Sequence, residues 1–121
     1  MKIAALIFVA AAAMPGLAAA ANRHDAELAM TAAQSALDSA ERAGAAQYAG
    51  ADLDTARSGM ARAQGLANGR DWTESLLASE KTRADAILAE ARSRQARAEA
   101  TTAEVEAAVR TLRMELGRAG G

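Results

Sequence analysis

The sequence has no cysteine, one proline, one histidine, and one each of Trp, Tyr and Phe in 121 residues. Without thiols there is no disulfide, no thiolate metal site and no lipid-bearing Cys at a leader junction. The lone His24 has no Ser, Thr or acid placed to form a nucleophile–base pair with it, so catalytic residues are not expected. Aromatic rings for stacking on bases are missing, and 14 basic and 15 acidic side chains are interspersed, which favours neither nucleic acid nor an anionic membrane as partner. Arg92, Arg94 and Arg97 form no exception, because Glu90 and Glu99 bracket them. Gly65 and Gly69 are not followed by Lys-Ser or Lys-Thr, which excludes a P-loop. The acidic pairs Asp52/Asp54 and Glu104/Glu106 stand two apart and point in different directions on a helix, so they do not converge on a metal. A non-enzymatic protein without cofactor is expected.

Long apolar runs are also lacking, except at the start. Lys2, the apolar stretch from Ile3 to Ala13, the break at Met14-Pro15-Gly16 and the small residues before Asn22 have the order of a secretory signal. Residues 1–21 are therefore expected to be removed, with cleavage before Ala21 or Asn22, and the mature protein to lie in a bacterial periplasm. The competing reading is an uncleaved inner-membrane anchor, since Ile3 to Ala21 nearly matches a bilayer span. It is disfavoured because Ala is weakly apolar and Pro15 interrupts the run.

What remains is rich in helix formers, and residues 22–121 are expected to be one all-α domain. A first helix is predicted over 22–43, with Asn22 capping it, Asp25 in its first turn and an apolar stripe of Ala26, Ala29, Ala33, Ala36, Ala40 and Ala43. A second is predicted over 50–67, carrying Leu53, Ala56, Met60, Ala63 and Ala67. Gly59 and Gly65 weaken it by about 1 kcal/mol each unless a neighbour comes close there, which is the expectation. Gly69 suits the left-handed residue that ends a helix. Asp71 with Glu74 then has the pattern of a capping box, opening a third helix over 71–116 that contains neither Gly nor Pro. Its length is about 46 residues, or roughly 69 Å. Asp38/Arg42, Glu90/Arg94 and Glu106/Arg110 stand at the spacing of supporting ion pairs.

Short turns make neighbouring helices antiparallel, and facing Ala stripes let them approach closely while burying little area. Tyr48 and Trp72 flank the second helix and are expected to close the two ends of the bundle. The fold class is thus an antiparallel three-helix arrangement with a long C-terminal helix extending beyond it as a coiled-coil-like tail.

The turns in "AGAAQYAG" (43–50) and "LANGRDW" (66–72), set among Ala-rich helices, resemble those of the bacterial envelope family called domain of unknown function 4398. That family shows a helix ending in Ala-Gly-Ala, a Tyr-Ala-Pro turn, a helix with close Leu and Ala, and a Gly-Asp-Tyr or Gly-Asp-Trp turn. The corresponding residues are Ala43 to Ala45, Tyr48-Ala49-Gly50, Leu53 with Ala56, and Gly69 with Asp71-Trp72. Gly50 stands where Pro is usual, and Arg70 is inserted before the Asp. The resemblance implies Tyr48, Gly69, Asp71 and Trp72 as turn anchors and an envelope setting. It assigns no catalytic or ligand residue. Relatives often carry a lipid anchor or a following peptidoglycan-binding domain, neither of which is apparent in this sequence.

One further pattern stands out. Leu77, Ala84, Ala91, Ala98, Val105 and Leu112 recur every seven residues, with a companion row of Leu88, Gln95, Thr102, Val109 and Leu116. The two shorter helices are expected to cover the first half of this seam. The rest, Ala98, Val105, Val109, Leu112 and Leu116, then forms an interaction face in need of another surface. A protein partner or a second copy of the chain is expected there; a holdase role for unfolded envelope proteins and peripheral lipid contact are the alternatives.

Overall fold

The computed structural model describes residues 20–121; the signal peptide expected over residues 1–21 lies, but for its last two positions, outside the described residues. Four helices follow in order: α1 (Arg23–Arg42), α2 (Ala45–Tyr48), α3 (Gly50–Asn68) and α4 (Trp72–Ala119). The described residues are all-α, with α1, α3 and α4 packed up, down and up, and α4 running far past the other two. The segment between the first two long helices, for which no helix is predicted, forms the single turn α2.

Each helix start and stop has a local cause. Asn22 Oδ1 accepts the Asp25 N–H at 3.0 Å, and the Asn22 N–H donates to Asp25 Oδ2 at 3.2 Å, a complete capping box. After α1 the chain reverses at Gly44, whose φ of 90° only glycine adopts without strain. The Tyr48 ring closes over that glycine: a Cβ there would meet Tyr48 Cδ2 at 3.2 Å.

The turn from α3 to α4 departs from expectation in two ways. Gly69 is not left-handed, with φ −80°; Arg70 takes that conformation at φ 61°. The Arg70 N–H donates to Ala67 O (3.0 Å) and the Asp71 N–H to Leu66 O (2.9 Å), the two bonds of a Schellman motif whose left-handed position is Arg70. Arg70, between Gly69 and Asp71, thus carries the motif one place past the glycine. The same bonding makes Asp71 a plain N-cap rather than half of a capping box. Its side chain accepts the Glu74 N–H at 3.4 Å, but its own N–H is already given to Leu66.

The core consists of Ala33, Ala40, Ala45, Ala49, Ala56, Ala86 and Ala89 around three larger side chains, Leu37, Leu53 and Met60. Against them α4 turns a row of small and mostly hydroxylated residues, Ser75, Ser79, Thr82, Ala86, Ala89 and Ser93, all fully buried. The hydroxyls cost little, because each has an acceptor. Ser75 Oγ donates across the bundle to Ala63 O at 2.9 Å, while Ser79, Thr82 and Ser93 donate to the carbonyl one turn back at 2.7–2.8 Å. Gly59 is the closest point of approach: a Cβ on it would sit 2.4 Å from Thr82 Oγ1. At Gly65, by contrast, a Cβ would meet nothing within 4 Å, so the expected close neighbour is absent there.

Arg57 to Glu41 (2.7 Å) and Arg92 to Asp52 (2.6 Å) tie the helices across the surface. Of the three pairs expected along helices, Glu90 with Arg94 forms. Asp38 instead accepts from Gln34 and Arg42 donates to Ser39, and Glu106 has no ion-pair partner among the described residues. Tyr48 and Trp72, at opposite ends of α3, are both half-buried.

Candidate interaction face

Helix α4 spans 48 residues, about 72 Å at 1.5 Å per residue. Its buried row begins at Ser75 and its apolar seam at Leu77, two positions or roughly 200° further around the helix. The seam therefore lies on the side of α4 facing away from the bundle. This corrects the expectation that α1 and α3 cover its first half: Leu77 is 51% and Leu88 43% exposed, and Ala84 and Ala91 are not turned inward. The large seam residues suggest a bundle-facing row because they are the most apolar, but the Ala stripes of α1 and α3 leave room only for small side chains on α4. Ser and Thr fill that room and satisfy their hydroxyls locally.

The last bundle-side positions with partial burial are Ala96 and Ala100, next to the turn at Gly44. From Thr101 onward every residue is exposed. Of the residues expected to form an interaction face, Ala98, Val105, Val109, Leu112 and Leu116 are thus all exposed, Leu116 most of all at 72%. Together with Leu77, Ile87 and Leu88 they extend the face along nearly the whole of α4, twice the expected reach. The expected turn anchors Gly69, Asp71 and Trp72 occupy the α3–α4 corner, and Tyr48 the opposite end of α3, so the structure does not bring them together with the seam.

A seam of period 3.5 on a helix of period 3.6 rotates by about 20° per heptad. Across the bundle, α4 is packed against α1 on one side and α3 on the other. Beyond Ala100 nothing among the described residues holds it. The tail is thus the stretch where a partner helix could follow the seam by winding around it.

The charges beside the seam differ along its length. On the edge that carries Glu106 and Arg113, those near the bundle are engaged: Asp85 with Lys81 (2.7 Å) and Arg92 with Asp52, whose hydrogen bond and negative charge raise the guanidinium pKa above its ordinary value. Arg23 is raised in the same way by Glu27. In the tail, Glu106 and Arg113 flank the seam on the same edge, seven residues apart, and neither has an ion-pair partner among the described residues.

No group of three or more His, Asp or Glu side chains converges on a possible metal position among the described residues, and no described helix is long and apolar enough to cross a membrane. An open groove of about 400 Å³ between α3 and α4 is lined by Thr55, Gly59, Arg62, Glu74, Leu77 and Lys81. It touches the start of the seam at Leu77.

The family described as Domain of unknown function (DUF4398) matches residues 28–112. That is well over half the chain, and the protein belongs to this family of helical domains. The matched stretch takes in α2, α3, most of α1 and α4 as far as Leu112, so the first part of the exposed tail lies inside the family's domain. No curated protein and no solved structure matches the chain.

Proposed function

We propose that this protein is an exported, non-enzymatic helical interaction module of the bacterial cell envelope, presenting the outer face of α4 to a protein partner. The observation that carries the reading is the division of α4 into two opposed faces. Its small residues complete the bundle, and Leu77, Leu88, Val105, Val109, Leu112 and Leu116 are left over. Isolated exposed apolar residues are ordinary, but a heptad row along one helix side, with large residues at Leu77 and Leu88 and again from Val105 to Leu116, is the signature of a helix-to-helix interface. Export is supported by the order of charge, apolar run and small residues over positions 1–21. The envelope setting is supported by the family resemblance.

The test places a photo-reactive amino acid at Val109, at Leu112 or, as control, at Ala107 on the opposite side of the tail, in the full chain expressed with its leader. Discrete adducts from Val109 and Leu112 but not from Ala107 are expected in the periplasmic fraction. Equal yields from all three positions, or none from any, would remove the docking face.

A further inference from the structure

We propose that the tail of α4 docks on the tail of a second copy of this chain, antiparallel, centred between Arg110 and Thr111. The proposal rests on the docking-face reading above and adds the occupant and the register.

The argument starts from the four large tail residues. In an antiparallel pair, each residue of the Leu77–Leu112 row faces one of the Leu88–Leu116 row. Centring between Arg110 and Thr111 sets Val105 against Leu116 of the second copy, and Val109 against Leu112 of the second copy, with the same two contacts repeated by symmetry. Every large apolar residue of the tail seam then meets another large one, and none faces the Ala, Gln or Thr of the seam's middle. The symmetry is that of a closed two-fold dimer, in which the same patch serves both chains.

Charge decides the register. In antiparallel coiled coils the seam is flanked on each side by like heptad positions of the two helices, so one edge juxtaposes Glu106 with Arg113 of the second copy, twice over. These are the two tail charges beside the seam on that edge, and neither is engaged within the described chain. The other edge sets Ala108 against Glu115 of the second copy, which is neutral. A parallel, in-register pair would place Glu106 against Thr101 and Arg113 against Ala108, leaving both charges unanswered. A longer antiparallel overlap, centred between Ala96 and Arg97, would use the whole seam but would oppose Asp85 with Glu106 and Glu80 with Glu115, two clashes against the single match of Arg92 with Glu99. It would also draw on Asp85 and Arg92, which Lys81 and Asp52 already engage. The short overlap avoids like charges and lies wholly beyond Ala100, where the helix is free to wind. The two bundles point away from each other at the far ends, so they do not collide.

The chain has no cysteine of its own, so introduced ones report the register directly. Val105→Cys and Leu116→Cys chains, mixed under mild oxidation, are expected to give a disulfide-linked dimer, while neither variant alone does so. Homotypic pairs would lie about 16 Å apart in this register, far outside the reach of a disulfide. Glu106→Arg and Arg113→Glu each replace two attractive contacts by two repulsive ones, and each is expected to weaken self-association of the full chain about tenfold by sedimentation equilibrium. An equimolar mixture of the two variants is expected to recover wild-type affinity as a heterodimer. Both positions are exposed, so unchanged helical circular dichroism separates these effects from misfolding. Ready cross-linking of Val105→Cys alone would overturn the register, as would insensitivity to both charge reversals. A full chain that stays monomeric at several hundred micromolar would overturn self-pairing. Photo-adducts at Val109 carrying only a foreign chain would overturn it too, yet leave the docking face standing; no adducts at all would remove both.

Discussion

Replacing Gly59 by Ala probes the spacing between α3 and α4, on which the choice of inner and outer face depends. A Cβ at residue 59 would lie 2.4 Å from Thr82 Oγ1, in a fully buried position where that hydroxyl donates to Ala78 O at 2.8 Å. Thr is stiff about χ1, and rotating it away would break the hydrogen bond and still leave Thr82 Cβ 3.5 Å from the new methyl group. Overpacking of this kind costs about 1–3 kcal/mol, against a gain of about 1 kcal/mol from replacing Gly within a helix. The net expectation is a loss of about 1 kcal/mol, or roughly 4–8 °C in melting temperature for a domain of this size. Gly65, further along the same helix, offers open space for 4 Å around the position its Cβ would take, so Gly65→Ala is expected to stabilise by up to about 1 kcal/mol. The two variants should therefore move in opposite directions when followed by circular dichroism on heating. Thr82→Ala removes the obstructing oxygen, and in that background Gly59→Ala should become stabilising, a coupling on the order of 2 kcal/mol. If Gly59→Ala raised the melting temperature as much as Gly65→Ala does, α4 would not approach α3 there, and the assignment of its Ser/Thr row to the interior would fall.

Arg70→Gly relieves a left-handed non-glycine residue and should raise stability by about 1 kcal/mol in chemical denaturation; a loss would mean that the Arg70 side chain makes a contact that outweighs the strain. Ser79→Leu, which would look conservative if that face met solvent, should cost on the order of 3 kcal/mol by overpacking the Ala-lined interior, whereas a neutral result would place Ser79 outside it. Leu112→Ser should change monomer stability by no more than about 0.5 kcal/mol while Leu53→Ala costs about 2–5 kcal/mol, as dilute-solution melting will show. The mass of the protein recovered from the periplasm should correspond to a chain beginning at Ala21 or Asn22; retention of residues 1–21 would indicate an anchor instead.

The helices are legible in the sequence because their signals are local. Asn22 with Asp25 starts α1, Gly44 ends it, and Asp71 opens a helix with no interruption as far as Leu116. Each of these follows from bonds within a few residues of the chain. Even the departure at Gly69 is local: Arg70 takes the left-handed position, and the Asp71 N–H that a full capping box requires is given to Leu66 O. The one-turn α2 escapes a sequence reading because four residues are too few to show a period.

The division of α4 between inside and outside is a different kind of fact. Its sequence carries two interleaved rows, one of Ser, Thr and Ala and one of Leu, Val and Ala, and hydrophobicity alone assigns the second to the core. Local chemistry thus determined that residues 71–116 would belong to one long helix with an apolar seam. Only the packing of α1 and α3 decided which row went inward. Their Ala stripes bring the backbones so close that a side chain must be small before it need be apolar, and a serine that bonds its own helix fits where a leucine cannot.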